Sequence, residues 1–208
     1  MKVLHIDCSL RTKGSFSREL SASFMRQLES KTVVTIDRLD LAADTPGHIT
    51  QQYTEAMYIS PELYTGEIKR ELAMSDDLVD RLIASELYVI GIPMYNFSIP
   101  SVFKAFIDNI VRPGRTFLAD ENGFKGLLVG KMAVIINSRG GDYRDETTVK
   151  LDFVEPYLRM IFGFIGVTNV KFITIQPTLF YGEEAKQHAL LHANNEILQT
   201  VEHLTVEN

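Results

Sequence analysis

The sequence predicts an α/β protein: a doubly wound, five-stranded parallel sheet of order 2-1-3-4-5 with helices on both faces. Three observations point there. Strand-like and helix-like segments alternate from one end of the chain to the other. The run Leu87-Tyr88-Val89-Ile90-Gly91-Ile92 is apolar throughout, as expected of a strand buried on both faces in a parallel sheet. The 208 residues contain no internal repeat, low-complexity tract or linker, so one domain over residues 1–208 is expected.

The elements follow in order. Residues 2–7 form a short apolar strand, and residues 17–30 a helix in which Leu20, Phe24 and Leu28 recur every four residues as one buried stripe. Residues 32–37, rich in Val and Ile, make the second strand. Residues 38–60 carry Pro46 and Gly47 without a clear period and read as loop with room for a short helix. Residues 67–85 are helical, with Leu72, Leu78, Val79, Leu82 and Ile83 on the inner face. The third strand, residues 87–92, ends at Pro93, which has no N–H to donate and a fixed φ. Pro100 opens the next helix, residues 101–111, and Pro113-Gly114 stops it. Glu121-Asn122-Gly123 is a turn signal between 116–118 and 127–129, which predicts a hairpin-like excursion at about residues 116–130. Residues 132–137 are the fourth strand and 149–165 a helix that Pro156 kinks or breaks. Residues 169–176 are the fifth strand and 183–204 a closing helix with acidic residues in its first turn.

Composition narrows the function classes. A net charge of −6 argues against wrapping nucleic acid, whose phosphates need clustered Lys and Arg. The single cysteine, Cys8, excludes an internal disulfide. Asp7 ends the first apolar run too early for a signal peptide, and no segment approaches the ~20 apolar residues of a membrane span. A cytoplasmic protein is the expectation.

In an open parallel sheet, ligands bind beyond the carboxyl ends of the strands. Three loops leave that edge from neighbouring strands. The first, Cys8 to Ser17, offers the Ser9, Ser15 and Ser17 hydroxyls just before a helix N-terminus, where orphan N–H groups and the macrodipole favour an anion such as phosphate. The third-strand loop, Pro93-Met94-Tyr95-Asn96-Phe97, places an amide between two aromatics. The fourth-strand loop, Ser138-Arg139-Gly140-Gly141, is glycine-rich, which allows close backbone approach and tolerates positive φ. Each loop has an ordinary reading as a cap, a turn or packing. Together they supply an anion cradle, a flat apolar wall and a rim, which fits a mononucleotide bearing a flat heterocycle.

Other chemistries lack their residues. Low-molecular-weight tyrosine phosphatases place a Cys at the end of the first strand and an Arg six residues later; here Cys8 is followed at that spacing by Gly14. Cys8 is therefore read as a small buried residue. His5 reads as a sheet residue, and His188 and His192 as a solvated helix face, so no metal site is expected. No Ser-His-Asp or Cys-His arrangement emerges, and no catalytic side chain is assigned.

At these loops the chain becomes recognisable. Pro93-Met94-Tyr95-Asn96-Phe97, Ser138-Arg139-Gly140-Gly141, Pro156-Tyr157-Leu158 and Phe162-Gly163-Phe164-Ile165-Gly166, in this order and spacing, resemble the FMN-dependent NADH-azoreductases among the flavodoxin-like quinone reductases. The likeness runs from Lys2 to the last helix. It implies a flavodoxin-like fold and a homodimer with one non-covalent FMN per subunit at the interface. NADH, with NADPH possible, is the implied donor in a ping-pong cycle that reduces quinones and cleaves aromatic azo compounds. It also implies that Ser9, Ser15, Phe16 and Ser17 hold the FMN phosphate, and that Met94, Tyr95, Asn96 and Phe97 contact ribityl and ring. Ser138, Arg139, Gly140 and Gly141 would lie along the pyrimidine side, with Asn96 tuning the flavin. Phe16 and Arg18 depart from the polar residues common at their positions, so Phe16 is expected to act through its backbone N–H. A flavodoxin-type electron carrier without a substrate pocket shares the fold, and a non-flavin α/β protein is the remaining alternative.

Overall fold

A computed structural model describes residues 1–121 and 123–206. Five parallel strands, β1 (Lys2–Asp7), β2 (Thr35–Asp40), β3 (Leu87–Pro93), β6 (Met132–Ser138) and β7 (Asn169–Ile175), lie in the order β2-β1-β3-β6-β7, which is the expected 2-1-3-4-5 sheet. A separate antiparallel hairpin, β4 (Phe117–Asp120) and β5 (Gly123–Gly126), stands off the sheet. The helices are α1 (Phe16–Lys31), α2 (Gln51–Ala56), α3 (Gly66–Ala84), α4 (Ser101–Ile110), α5 (Glu155–Phe164) and α6 (Gly182–Val206).

The sheet is buried on both faces because successive side chains alternate between two cores. Val3, Val89, Val134, Ile136 and Ile173 pack with Leu20, Phe24 and Leu28 of α1 and Ala193, Ile197 and Val201 of α6. Leu4, Ile6, Ile90, Ile92 and Ile135 pack with Val79 and Leu82 of α3, Phe103 and Phe106 of α4, and Leu158 and Phe162 of α5. β3 is buried along its whole length. Among the described residues no helix is long and apolar enough to cross a membrane.

The boundaries differ from the sequence reading in instructive places. β2 begins at Thr35, three residues later than Thr32, because its register is set by Lys2 of β1, and Val33 is left 87% exposed before the strand. As an edge strand β2 tolerates Asp37, Arg38 and Asp40. β3 continues through Pro93, which pairs with Ser138. The missing N–H costs nothing at that last position, since Met94 N donates to the Ser138 carbonyl and carries the ladder onward. The second arm of the hairpin is β5 rather than residues 127–129, because Leu128 N is drawn away to the Ile165 carbonyl. Asn122 of the expected turn lies outside the described residues. Pro156 breaks the expected 149–165 helix in two: a short 3-10 turn at Val149–Leu151, then α5 with Pro156 in its first turn.

The stretch after β2 is anchored by a buried polar knot. Arg112, 1% exposed, donates to Ser75 Oγ, which donates to the Asn109 carbonyl and meets Tyr53 OH, while Asn109 Nδ2 donates to the Gly47 carbonyl.

Gly91 decides how close α1 can come to the sheet. A Cβ there would lie 2.8 Å from Asp7 Oδ1 and 2.9 Å from both the Ser17 carbonyl and Ser21 Oγ. Only the absent side chain lets the first turn of α1 rest on β3 and bring the first loop beside the third-strand loop. Gly91→Ala is expected to cost about 1–3 kcal/mol by overpacking. Urea unfolding checks this, and a variant as stable as the wild type would show that the contact is slack.

Candidate functional site

The carboxyl edge of β1, β3, β6 and β7 carries a cleft lined by Ser9, Arg11, Gly14, Ser15, Phe16, Pro93, Met94, Tyr95, Ser138, Gly140, Thr178 and Leu179. The first loop forms its floor. Ser9 is 1% exposed, and its Oγ accepts from Arg11 N (3.2 Å) and lies 3.5 Å from Tyr95 OH. Ser15 is the N-cap residue of α1, yet its hydroxyl makes no capping bond and instead meets Ser17 Oγ at 3.3 Å. The first-turn amides of α1 are thus left without a side-chain cap, at the positive end of a 16-residue helix. Buried hydroxyls beside such a terminus form an anion cradle.

Arg18 holds this loop from behind. Its Nε and Nη2 both donate to the Ser9 carbonyl (3.1 and 2.6 Å), while Nη1 and Nη2 donate to the Asp40 carboxylate (2.8 and 2.6 Å). The guanidinium hydrogen bonds hold the Asp40 carboxyl below its ordinary range. Asp7 lies 3.6 Å from Arg18 and accepts from Ser21 Oγ. Burial pushes its carboxyl up, against the pull of nearby His5, and burial likewise pushes the His5 imidazole down. Cys8 is fully buried and its thiol is pushed well above the ordinary value by that burial, which suits packing and not nucleophilic attack.

The third-strand loop is a tight turn closed by Tyr95 N to the Ser98 carbonyl (2.9 Å) and Ser98 N to the Tyr95 carbonyl (3.0 Å). Its central residues, Asn96 and Phe97, have φ of 47° and 68°. That conformation is tolerated by Asn and is an outlier for Phe, so the turn stores strain at the lip of the cleft. Met94 and Tyr95 line the cleft; Asn96 and Phe97 stand exposed at its edge. The fourth-strand loop is tied to the loop after β7: the Gly140 carbonyl accepts from the amides of Thr178, Leu179 and Phe180 (3.3, 3.1 and 3.3 Å). Neither Gly140 nor Gly141 has a positive φ. What glycine provides at 140 is room, since a Cβ would sit 3.1 Å from Leu179 Cδ1.

Of the residues singled out from sequence, Ser9, Ser15, Phe16, Met94, Tyr95, Ser138 and Gly140 are brought together around the cleft. Ser17 lies buried behind Ser15, and Gly141 packs near the Tyr143 ring. The Arg139 side chain, 3% exposed, is turned away to Asp152 (2.8 Å), with its Nε making no hydrogen bond. Thr178 and Leu179 escaped the sequence reading. Pro177, two residues past the end of β7, was the available signal.

Comparison with known proteins places this edge in context. The family described as having a flavodoxin-like fold matches residues 1–201. A Nostoc punctiforme protein named FMN-dependent NADH:quinone oxidoreductase is 46% identical over 175 residues, spanning 83% of this chain and 85% of its own length. A Trichormus variabilis protein named FMN-dependent NADH:quinone oxidoreductase 2 is 43% identical over 202 residues, 96% of this chain and 97% of its own. Among solved structures, an azoreductase from Bacillus anthracis superposes with a TM-score of 0.89 at 22% identity, covering 97% of this chain and 98% of its own. An FMN-dependent NADH-azoreductase from the same species, solved in complex with FMN, gives 0.87 at 23% identity over 99% and 100%. At those identities the superpositions speak to the fold.

The Arg18–Asp40 pair has a pH signature. With its carboxyl held below the ordinary 3.8, Asp40 binds a proton less readily in the folded chain than in the unfolded one. It therefore contributes stability that is full above that value and is lost as pH falls through and below it. Asp40→Asn is expected to lose less stability than the wild type between roughly pH 6 and pH 3. Equal losses in urea titrations at the two pH values would remove Asp40 from the acid limb.

Proposed function

Because the chain belongs to the flavodoxin-like FMN-dependent NADH:quinone oxidoreductase family, we propose that the cleft at the carboxyl edge of its sheet is the FMN site and is assembled by the loops described above. The protein is an oxidoreductase with FMN as cofactor and NADH as electron donor, reducing quinones, and cleavage of aromatic azo compounds is part of the proposal. The observation that carries the site assignment is the convergence of an uncapped helix N-terminus, buried Ser9 and Ser15 hydroxyls and the Met94–Tyr95 wall on one cleft.

The residues fit FMN group by group. Ser9, Ser15 and the amides of Phe16 and Ser17 would hold the phosphate, because they present donors at the positive end of α1. Met94 and Tyr95 would pack along ribityl and ring, with Asn96 and Phe97 at the outer edge. Ser138, Arg139, Gly140 and Gly141 would meet the pyrimidine side, Gly140 through its backbone and Arg139 through its backbone alone, since its side chain faces Asp152. When bound, FMN would supply the redox chemistry, a two-electron relay from NADH to a quinone released as its hydroquinone. The protein needs no nucleophile for this. Its residues bind the phosphate, orient the ring and keep water from its apolar wall. The Asn96–Phe97 turn sets the Asn96 amide at the lip of the cleft.

A homodimer with the cleft at the interface is part of the proposal. Its support is the exposed apolar surface beside the lip: Phe97, Val149, Leu151, Phe153 and Met160 are each more than a third exposed. A monomer in light scattering at micromolar concentration would reject the dimer. The run at 161–165 contributes little to that surface, since Phe162 and Ile165 are core residues.

The decisive test is an absorption spectrum after incubation with FMN and desalting, then anaerobic NADH. Retained flavin bands that bleach with NADH and recover with a quinone are expected; bound flavin inert to NADH would favour an electron carrier. Asn96→Ala removes the amide and strains the turn, whereas Asn96→Gly removes the amide alone. Both are expected to weaken FMN binding by about tenfold, roughly one lost hydrogen bond. A glycine variant with wild-type affinity would assign the role of Asn96 to the turn.

A further inference from the structure

The Arg139 side chain sits in a motif whose backbone serves the cleft, yet the side chain itself is directed elsewhere. Its Nη2 is 2.8 Å from Asp152 Oδ2, in a pair whose side chains are 4% and 9% exposed, and 3.9 Å from Glu155. The guanidinium also lies 5.8 Å from the centre of the Tyr143 ring, which in turn meets the Phe97 ring edge-on at 6.4 Å. Asp152 is equally committed: its Oδ1 accepts from Val154 N (2.9 Å) and Glu155 N (3.2 Å) at the start of α5. The next amide, Phe153 N, donates to the Phe97 carbonyl at 3.0 Å. Residues 152–153 therefore grip the fourth-strand loop through a carboxylate and the third-strand loop through an adjacent amide.

We propose that Arg139 and Asp152 form a positioning pair that clamps the third- and fourth-strand loops to the start of α5 and so fixes the width of the cleft that receives the ligand's flat ring. The inference rests on the FMN reading for its ligand, but its geometry does not. Two features distinguish it from ordinary packing. The Phe97 backbone is strained, at φ 68°, and its carbonyl is held from outside the turn by Phe153 N. The grip on that carbonyl comes from the residue that follows Asp152 in sequence. Breaking a buried pair by removing one charge leaves the other uncompensated, so the two loops lose their shared anchor together.

Three variants test this: Arg139→Gln, Asp152→Asn, which keeps an acceptor for the α5 amides, and the double variant. The readouts are amide hydrogen exchange in residues 96–98 and 138–143 of the apoprotein, FMN affinity by fluorescence quenching, and apoprotein Tm. Each single variant is expected to speed exchange in both loops and weaken FMN binding about tenfold, with the double no worse than the poorer single. Losses in affinity that add in the double variant overturn the proposal, because they mean that Arg139 acts on the ligand itself. A lowered Tm with wild-type loop exchange and affinity overturns it too, leaving a merely structural pair. If a single variant does not fold, Arg139→Met with Asp152→Leu removes both charges, and wild-type exchange and affinity in that chain reject the clamp. A wild-type chain that takes up no FMN defeats the functional reading, while the exchange data still decide whether the pair holds the loops.

Discussion

The parallel hydrogen-bond ladder continues past the ends of the strands, and the rest of the site hangs from that continuation. Cys8 N reaches the Gly91 carbonyl, Met94 N the Ser138 carbonyl, and Arg139 N the Ile175 carbonyl, at 2.9, 2.8 and 3.0 Å. Each of these donors belongs to a loop residue or to the step into one. The first loop is thereby registered on β3, the third-strand loop on β6, and the fourth-strand loop on β7. In a parallel sheet all carboxyl ends lie on one edge, so three loops that are far apart in sequence must converge. A register slip anywhere in the sheet would displace them, and both faces being buried makes such a slip costly.

Fixed ends do not make loops stiff, and this chain stiffens them with ion pairs that face away from the cleft. Arg18 is bound to Asp40 and to the Ser9 carbonyl; Arg139 is bound to Asp152 while its own carbonyl accepts from Thr178 N and Oγ1. Both arginines sit in or beside loops that line the cleft, where a cation could face it. Both are neutralised by carboxylates instead. Among the residues lining the cleft the charged one is Arg11, which is exposed. Attraction for a phosphate must then come mainly from the helix terminus and the hydroxyls, which act at short range and demand exact placement. Rigid loops and short-range recognition are consistent with one another.

Much of this was legible in the sequence, and the exceptions share a cause. The sheet order, the alternation of helices, the hairpin and the three loops follow from local apolar patterns and from Pro and Gly punctuation, which depend on near neighbours. The role of the Arg139 side chain was not legible, because its partner lies 13 residues away beyond a turn. The start of β2 was missed because apolar Val33 and Val34 look more like a strand than Asp37-Arg38-Leu39-Asp40 does, and only pairing with β1 selects the latter. The anchoring of residues 45–60 was hidden for the same reason: Tyr53, Ser75, Asn109 and Arg112 come together only in three dimensions. The loop after β7, with Thr178 and Leu179, shows a milder failure, since Pro177 signalled a turn but nothing local tied that loop to Gly140.

The buried ionisable groups behind the first loop complete the physical picture. His5 and Asp7 lie in β1 and Cys8 directly after it, behind the first loop. His5 Nε2 is 3.8 Å from Asp7 Oδ2, too far for a hydrogen bond, and the thiol is fully buried. Burial drives all three toward their neutral forms, the histidine down and the acid and thiol up. None of the three lines the cleft, so none faces an incoming ligand directly. Their chemistry is suppressed by the same burial that lets α1 lie on the sheet. A fold that packs its helix N-terminus this close to the strand ends presents uncapped amides to the cleft and buries His5 and Cys8, an arrangement that suits cofactor-borne rather than acid–base chemistry.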